Sequence, residues 1–263
     1  MRVVPSLIRS TLVMAAFTTL PAFADSTVSA QLSNLQYTLT DLNTGDAIVP
    51  LQPAWNANLT FGAASVSDFS QDVSDEITFH GMQPQSDQVA LGGHSAGWSV
   101  TPGLGGTVSG AVTTEGPGYA NIFAMWNVPL TLAAHTSITV TAQMNLEWID
   151  LAPAVDQGGS AMASLSIVSN DPRGYEWGWA DQTESLTAAG SLDRELSVTF
   201  TNNGNIAMFL TMSGSVQSGA NVISVVPEPQ VYAMLGAGML LIGIAARRRE
   251  RRSAGAQHKL SSL

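Results

Sequence analysis

From residue 26 to residue 224 apolar and polar side chains alternate with a period of two, and helical spacing of the apolar residues is hard to find. Successive side chains of an extended strand point to opposite faces, so this texture gives each strand one dry face and one wet one. The clearest runs are Val28-Ser29-Ala30-Gln31-Leu32-Ser33 and Leu35-Gln36-Tyr37-Thr38-Leu39. Further strands are predicted at 58–61, 77–79, 97–100, 107–112, 120–132, 137–146, 161–168, 175–180, 196–200, 206–212 and 216–226, with Gly, Pro and Asn between them. With 24 Gly, 12 Pro and only 11% charged residues, the composition supplies many turns. Many short strands without intervening helices predict an all-β chain: an antiparallel β-sandwich with Greek-key or jelly-roll-like connections, spanning 25–225 as one domain. Asn202-Asn203-Gly204-Asn205 is the best hairpin signal. The glycine-rich stretch 92–118 reads either as a mobile loop region or as a weakly paired edge hairpin.

The chain has no cysteine, so the fold must rely on its core rather than on disulfides, and thiolate chemistry is excluded. Its formal charge of −10 is unevenly spread. All acidic residues except Glu228 and Glu250 lie between Asp25 and Val226, where the basic residues are Arg173 and Arg194 alone. A body this acidic repels phosphate backbones, which argues against nucleic acid as a partner.

The two ends are built differently. Residues 1–24 have the three parts of a secretory signal: basic Arg2 and Arg9, an apolar run from Leu12 to Phe17, and small Ala22 and Ala24 flanking Phe23 before Asp25. The apolar run is too short to span a bilayer, which favours export through the Sec translocon and cleavage by signal peptidase over a permanent anchor. At the other end Pro227-Glu228-Pro229 precedes 16 residues from Val231 to Ala246 that are apolar or glycine, followed by Arg247, Arg248, Arg249, Glu250, Arg251 and Arg252. As a helix the run rises about 24 Å against a hydrocarbon core of about 30 Å, which makes it one short C-terminal transmembrane helix. The five arginines hold its far end in the cytoplasm and leave 25–226 outside the inner membrane. Two prolines around one residue deny the backbone both helix and ladder, leaving an extended segment that a protease can hold; a plain linker before a permanent anchor is the alternative.

The order of proline-glutamate-proline, short apolar helix and arginine cluster resembles the PEP-CTERM sorting tail of Gram-negative envelope proteins, substrates of the membrane protease exosortase. The resemblance covers about 226–252. It implies that Pro227, Glu228 and Pro229 are the recognition motif, that the apolar run is the membrane-held handle, and that Arg247, Arg248, Arg249, Arg251 and Arg252 are the stop. It further implies loss of the tail and release of the body to the cell surface or an exopolysaccharide matrix. Such proteins usually end soon after the arginines, whereas here a cytoplasmic tail, 253–263, follows.

Inside the body three patterns touch chemistry. Gly93-His94-Ser95-Ala96-Gly97 matches the G-x-S-x-G of a nucleophile elbow. The residues after Ser95 cannot open a helix, however, and the downstream histidines are His135 and His258, with Glu115 the sole acid between Ser95 and His135. A glycine-rich turn explains the motif better than a secreted serine hydrolase. Asp41-Leu42-Asn43-Thr44-Gly45-Asp46 opens like a calcium loop, but position twelve is Gln52 instead of a bidentate Glu, so an Asx turn suffices. His80, His94 and His135 lack metal-ligand spacing, and nothing in the sequence calls for a metal or a cofactor. Tyr175, Trp177 and Trp179 would share one face of a strand, either as core or as a row of aromatic planes for sugar rings. The reading that emerges is an exported surface or matrix protein, structural or adhesive rather than catalytic and associated with exopolysaccharide, with a carbohydrate-binding module as the alternative.

Overall fold

The computed structural model describes residues 25–43, 58–151, 156–169 and 178–223, together with Ala237, Met239 and Leu240. The chain divides into a unit Phe23–Val225 and a second unit made of Met1–Ala22 and Val226–Leu263. All the strands belong to the first.

Twelve strands are described: β1 (Asp25–Asp41), β2 (Leu59–Ser67), β3 (Asp72–His80), β4 (Gln85–Leu91), β5 (His94–Thr101), β6 (Thr107–Glu115), β7 (Gly118–Leu132), β8 (Thr136–Asp150), β9 (Asp156–Ser169), β10 (Trp179–Leu186), β11 (Gly190–Asn202) and β12 (Met208–Ile223). They form two six-stranded sheets, ordered β11-β8-β1-β6-β5-β4 and β10-β9-β12-β7-β2-β3. Their pairings are antiparallel throughout. The chain stays within a sheet at the β2–β3, β4–β5, β5–β6 and β9–β10 connections and changes sheet at every other. Period-two alternation therefore becomes a two-layer body whose dry faces meet in one core. In β7, for example, Ala120, Ile122, Ala124, Trp126, Val128, Leu130 and Leu132 are all buried, and the residues between them face outward.

Several expected boundaries shift for local reasons. The two opening runs are one strand, β1, whose register against β8 slips between Ser33 and Gln36. Asn34, at φ 54°, takes the bulge, a conformation asparagine tolerates better than most residues. The runs at 206–212 and 216–226 likewise merge into one strand, β12, from Met208 to Ile223, with 224–226 outside the described residues. Strand β4 carries one buried apolar side chain, Val89, so its sequence gives too little alternation to announce it. The stretch 92–118 is neither loop nor edge: β5 and β6 pair with each other, with β4 outside them and β1 inside.

Asn202-Asn203-Gly204-Asn205 is not a hairpin but a corner that carries the chain from one sheet to the other. Its chemistry is local all the same. The buried Asn202 amide donates to the carbonyls of Ala133 and Ile206 at 2.8 Å and of Leu132 at 3.3 Å, and its Oδ1 accepts from Gly204 N at 3.0 Å. His135, at φ 51° in the neighbouring β7–β8 corner, lies 2.8 Å from Asn205 Oδ1 through Nε2. One asparagine thus satisfies the backbone of two sheet-changing turns.

Where the sheets approach, indoles lie on glycines. Trp98 of β5 covers Gly62 of β2, Trp148 of β8 covers Gly159 of β9, and Trp126 of β7 covers Gly214, its registered partner on β12. A Cβ on Gly62 would overlap the Trp98 ring, and one on Gly159 would stand 2.5 Å from Trp148.

The predicted membrane helix lies outside the described residues except for Ala237, Met239 and Leu240, which are helical. Among the described residues no helix is long and apolar enough to cross a membrane. Two substitutions test the packing. Gly62→Ala and Gly159→Ala should each lower stability by about 1–3 kcal/mol through overpacking, read from urea unfolding; an unchanged midpoint would mean that the indoles shift freely. Asn202→Ala strands several buried carbonyls at once and should lose about 3 kcal/mol in the same assay, against little change for the exposed Asn203→Ala.

Candidate functional site

Most of the residues singled out from sequence fall outside the described segments. These are the cleavage-site alanines Ala22 and Ala24, the motif Pro227, Glu228 and Pro229, the arginines Arg247, Arg248, Arg249, Arg251 and Arg252, and both Tyr175 and Trp177. Trp179 is described: it opens β10, an edge strand, and is 81% exposed on the outer face beside Val168. Its strand therefore begins where the predicted 175–180 strand was expected to end. On the opposite face of β10, Gln182 Oε1 accepts from Ser197 N at 2.8 Å and Glu184 meets Arg194 at 3.3 Å, which ties this edge to β11 of the other sheet.

Ser95 lies one residue into β5, half-buried on the outer face, paired with Ala90 and Thr113. A two-residue turn at Gly92 and Gly93 precedes it, with Gly92 at φ 58°, so the motif makes a hairpin rather than a strand-to-helix elbow. Across the sheet the row of Ser95 runs through Thr113 and Thr27 to Ile149 of β8. His135 precedes the opposite end of β8, about 40 Å away at ~3.3 Å per residue. The fold keeps the serine and that histidine apart. Asp41 does form the expected Asx turn, accepting from Asn43 N at 2.8 Å; residues 44–46 lie outside the described segments.

The arrangement with most recognition chemistry was not anticipated. It lies on the outer face of the second sheet, around the β2–β3 turn. There Asp68 Oδ1 accepts from Ser70 N (2.9 Å), Ser70 Oγ (2.7 Å) and Gln71 N (2.9 Å), while Ser67 Oγ accepts from Phe69 N at 3.0 Å. Clamped on both sides, Phe69 sits at φ 66° and is 64% exposed. The ring meets Tyr119 edge-on, with centroids 6.5 Å apart, and Tyr119 donates its hydroxyl to Asp72 at 3.2 Å. Register brings the remaining groups: Ser67 opposes Tyr119, which opposes Asn221, and Gly219 opposes Asn121. An open depression of about 510 Å³ results, with Phe69, Tyr119, Asn121, Asn221 and Ser160 around a floor of glycines. A second depression of about 580 Å³ continues past Asn121 to Phe123, Asp75 and Glu76.

Sequence reading missed this site because its members lie about fifty and a hundred positions apart. One signal was present: Phe69 follows Asp68 in a turn, where glycine or asparagine suits the conformation better.

No family model matches the chain, and no curated protein matches it. Among solved structures, one from work on the promiscuous specificity of carbohydrate-binding modules of the β-sandwich superfamily shares 10% identity with it. The match covers 72% of this chain and 95% of that one at a TM-score of 0.18, a likeness too slight to carry an argument about fold or ligand.

Hydrogen bonds from Ser70, first through its hydroxyl and then through its backbone, and from Gln71 hold the Asp68 carboxyl below the usual aspartate range, and the charge of His94 adds to the effect. A lowered folded value means that the clamp's contribution is fully present above the ordinary aspartate pKa and disappears as acid carries the pH down through the lowered value. Carbon-13 NMR should therefore place the Asp68 midpoint below that of an unstructured aspartate, and Asp68→Asn should abolish the acid-side change in the Phe69 ring signals. An ordinary midpoint would contradict the clamp.

Proposed function

We propose that this chain is an exported protein of the cell surface or extracellular matrix, whose β-sandwich body adheres to polysaccharide rather than catalysing a reaction. On this reading residues 1–24 direct export and are removed after Ala24. The C-terminal helix then holds the body on the periplasmic side of the inner membrane until an exosortase-type protease cuts near Pro227-Glu228-Pro229. The body passes to the cell surface or beyond.

For the body, the observation that carries the reading is the depression on the second sheet, where the exposed Phe69 ring and the half-buried Tyr119 stand beside carboxamides on a flat glycine floor. Aromatic faces stack on the apolar faces of sugar rings, and carboxamides match the paired donors and acceptors of their hydroxyls. The exposed Trp179 on the same sheet adds a further aromatic plane. For delivery, the support is that the two chain ends agree in sense: a signal-like start and an arginine cluster after the apolar run would each put residues 25–226 outside the inner membrane. The hydrolase alternative finds no support in a Ser95 that sits within a strand far from His135.

Mass spectrometry of the protein from producing cells should find a chain that starts at Asp25 and has lost Leu263. An intact C-terminus, unchanged when the membrane protease is deleted, would sink the processing claim.

A further inference from the structure

Neither turn chemistry nor core packing asks for a phenylalanine at position 69. The left-handed conformation there strains a bulky side chain, and a residue left 64% exposed recovers little by burial. Strain of this kind persists where surrounding groups over-determine it, which the Asp68 and Ser67 hydrogen bonds do. What the strain achieves is placement: the ring stands at the mouth of the depression, edge-on to Tyr119.

We propose that the depression bounded by Phe69, Tyr119, Asn121 and Asn221 binds one sugar ring of a neutral polysaccharide. The proposal rests on the polysaccharide-adhering reading above and assigns it a place and a ligand class. Phe69 offers the stacking face and Tyr119 the adjoining wall. Asn121 and Asn221 are both exposed and lie on adjacent strands, each with an amide donor group and a carbonyl acceptor for neighbouring hydroxyls. The floor must stay bare for them. A Cβ on Gly219 would stand 2.7 Å from Asn121 Oδ1, and one on Gly158 would overlap Asn221 Oδ1.

Charge selects the class. Among the described residues no carboxylate or cation lines this depression, so no group there pairs with an ionised sugar. Asp72 holds the Tyr119 hydroxyl at its margin, and Asp75 and Glu76 line the depression that continues from Asn121. A uronate or sulfated polymer following this path meets like charge, with no compensating arginine or lysine among the residues described along it; a neutral polymer loses nothing. Because the two depressions share Asn121, the chain of the polymer has a track along β7 beyond the first ring.

The test is isothermal titration of the full-length chain with a neutral β-glucan, a neutral mannan, alginate as the polyuronate and chitosan as the cationic polymer. The variants are Phe69→Gly, Asn221→Ala and Trp179→Ala. Phe69→Gly removes the ring while giving the turn a residue at home in its conformation, so the melting temperature should hold or rise. The expected result is binding to a neutral polymer that weakens at least tenfold in Phe69→Gly and in Asn221→Ala and is unchanged in Trp179→Ala. Binding that survives Phe69→Gly and is lost in Trp179→Ala would overturn this site while leaving polysaccharide adhesion standing. Preference for alginate or chitosan would overturn the ligand class. No binding to any of the four would overturn both the site and the adhesion reading on which it rests.

Discussion

Two indoles of one sheet lie over two glycines of the other inside the sandwich, and the spacing of the two sheets depends on it. Side chains from facing sheets must fill a layer about 10 Å thick, and an indole is too large to share that depth with an ordinary partner. Trp98 and Trp148 of one sheet reach across to Gly62 and Gly159 of the other, while Trp126 folds over Gly214 beside it. Large meets small at each of these points, so the layer closes with no cysteine to staple it. Each such pair also sets register. Moving β2 by one residue would turn Gly62 outward and drive Phe61 or Ala63 into the Trp98 ring.

The margins of this core are held by polar groups. At one end Asn202 supplies the partners that two sheet-changing turns lack, and His135 joins Asn205 beside it. Toward the opposite end of β8, Trp148 donates its indole N–H to Ser26 Oγ at 3.0 Å, so one of the packing indoles also anchors the start of β1. Along one open side Gln182 of β10 reaches the edge of β11 and takes the Ser197 N–H that an exposed edge would offer to another chain, while Glu184 pairs with the Arg194 side chain. Core and margin serve different ends: packing fixes the distance between sheets, and hydrogen bonds fix where the chain passes from one to the other.

A rigid sheet is what allows a strained turn to persist at its end. Strands β2 and β7 are registered so that Ser67 opposes Tyr119, and the clamp formed by Ser67 and Asp68 then decides where the next side chain points. The depression beside it needs no movement to form, because its floor is sheet backbone and its amides stand on adjacent strands. Recognition by preformed aromatic and amide groups loses little conformational entropy on binding, which would suit the polysaccharide contact proposed for this surface.

Alternation of side chains along 26–224 was enough to establish an all-β body and which residues of each long strand face inward, because period two follows from strand geometry and burial on one face. The Asx turn at Asp41 was legible for the same kind of reason: its hydrogen bond spans two residues. Strand β4 was not, since an edge strand with only Val89 buried carries little of the pattern. Nor could turn chemistry at Asn202 to Asn205 say that the next strand joins the other sheet; a turn sequence specifies local dihedrals, and sheet membership is settled by which faces pack. The site around Phe69, Tyr119, Asn121 and Asn221 was decided by tertiary structure alone. Its parts come from a turn and two strands, and only the pairing of β7 with β2 and β12 makes neighbours of residues so distant along the chain.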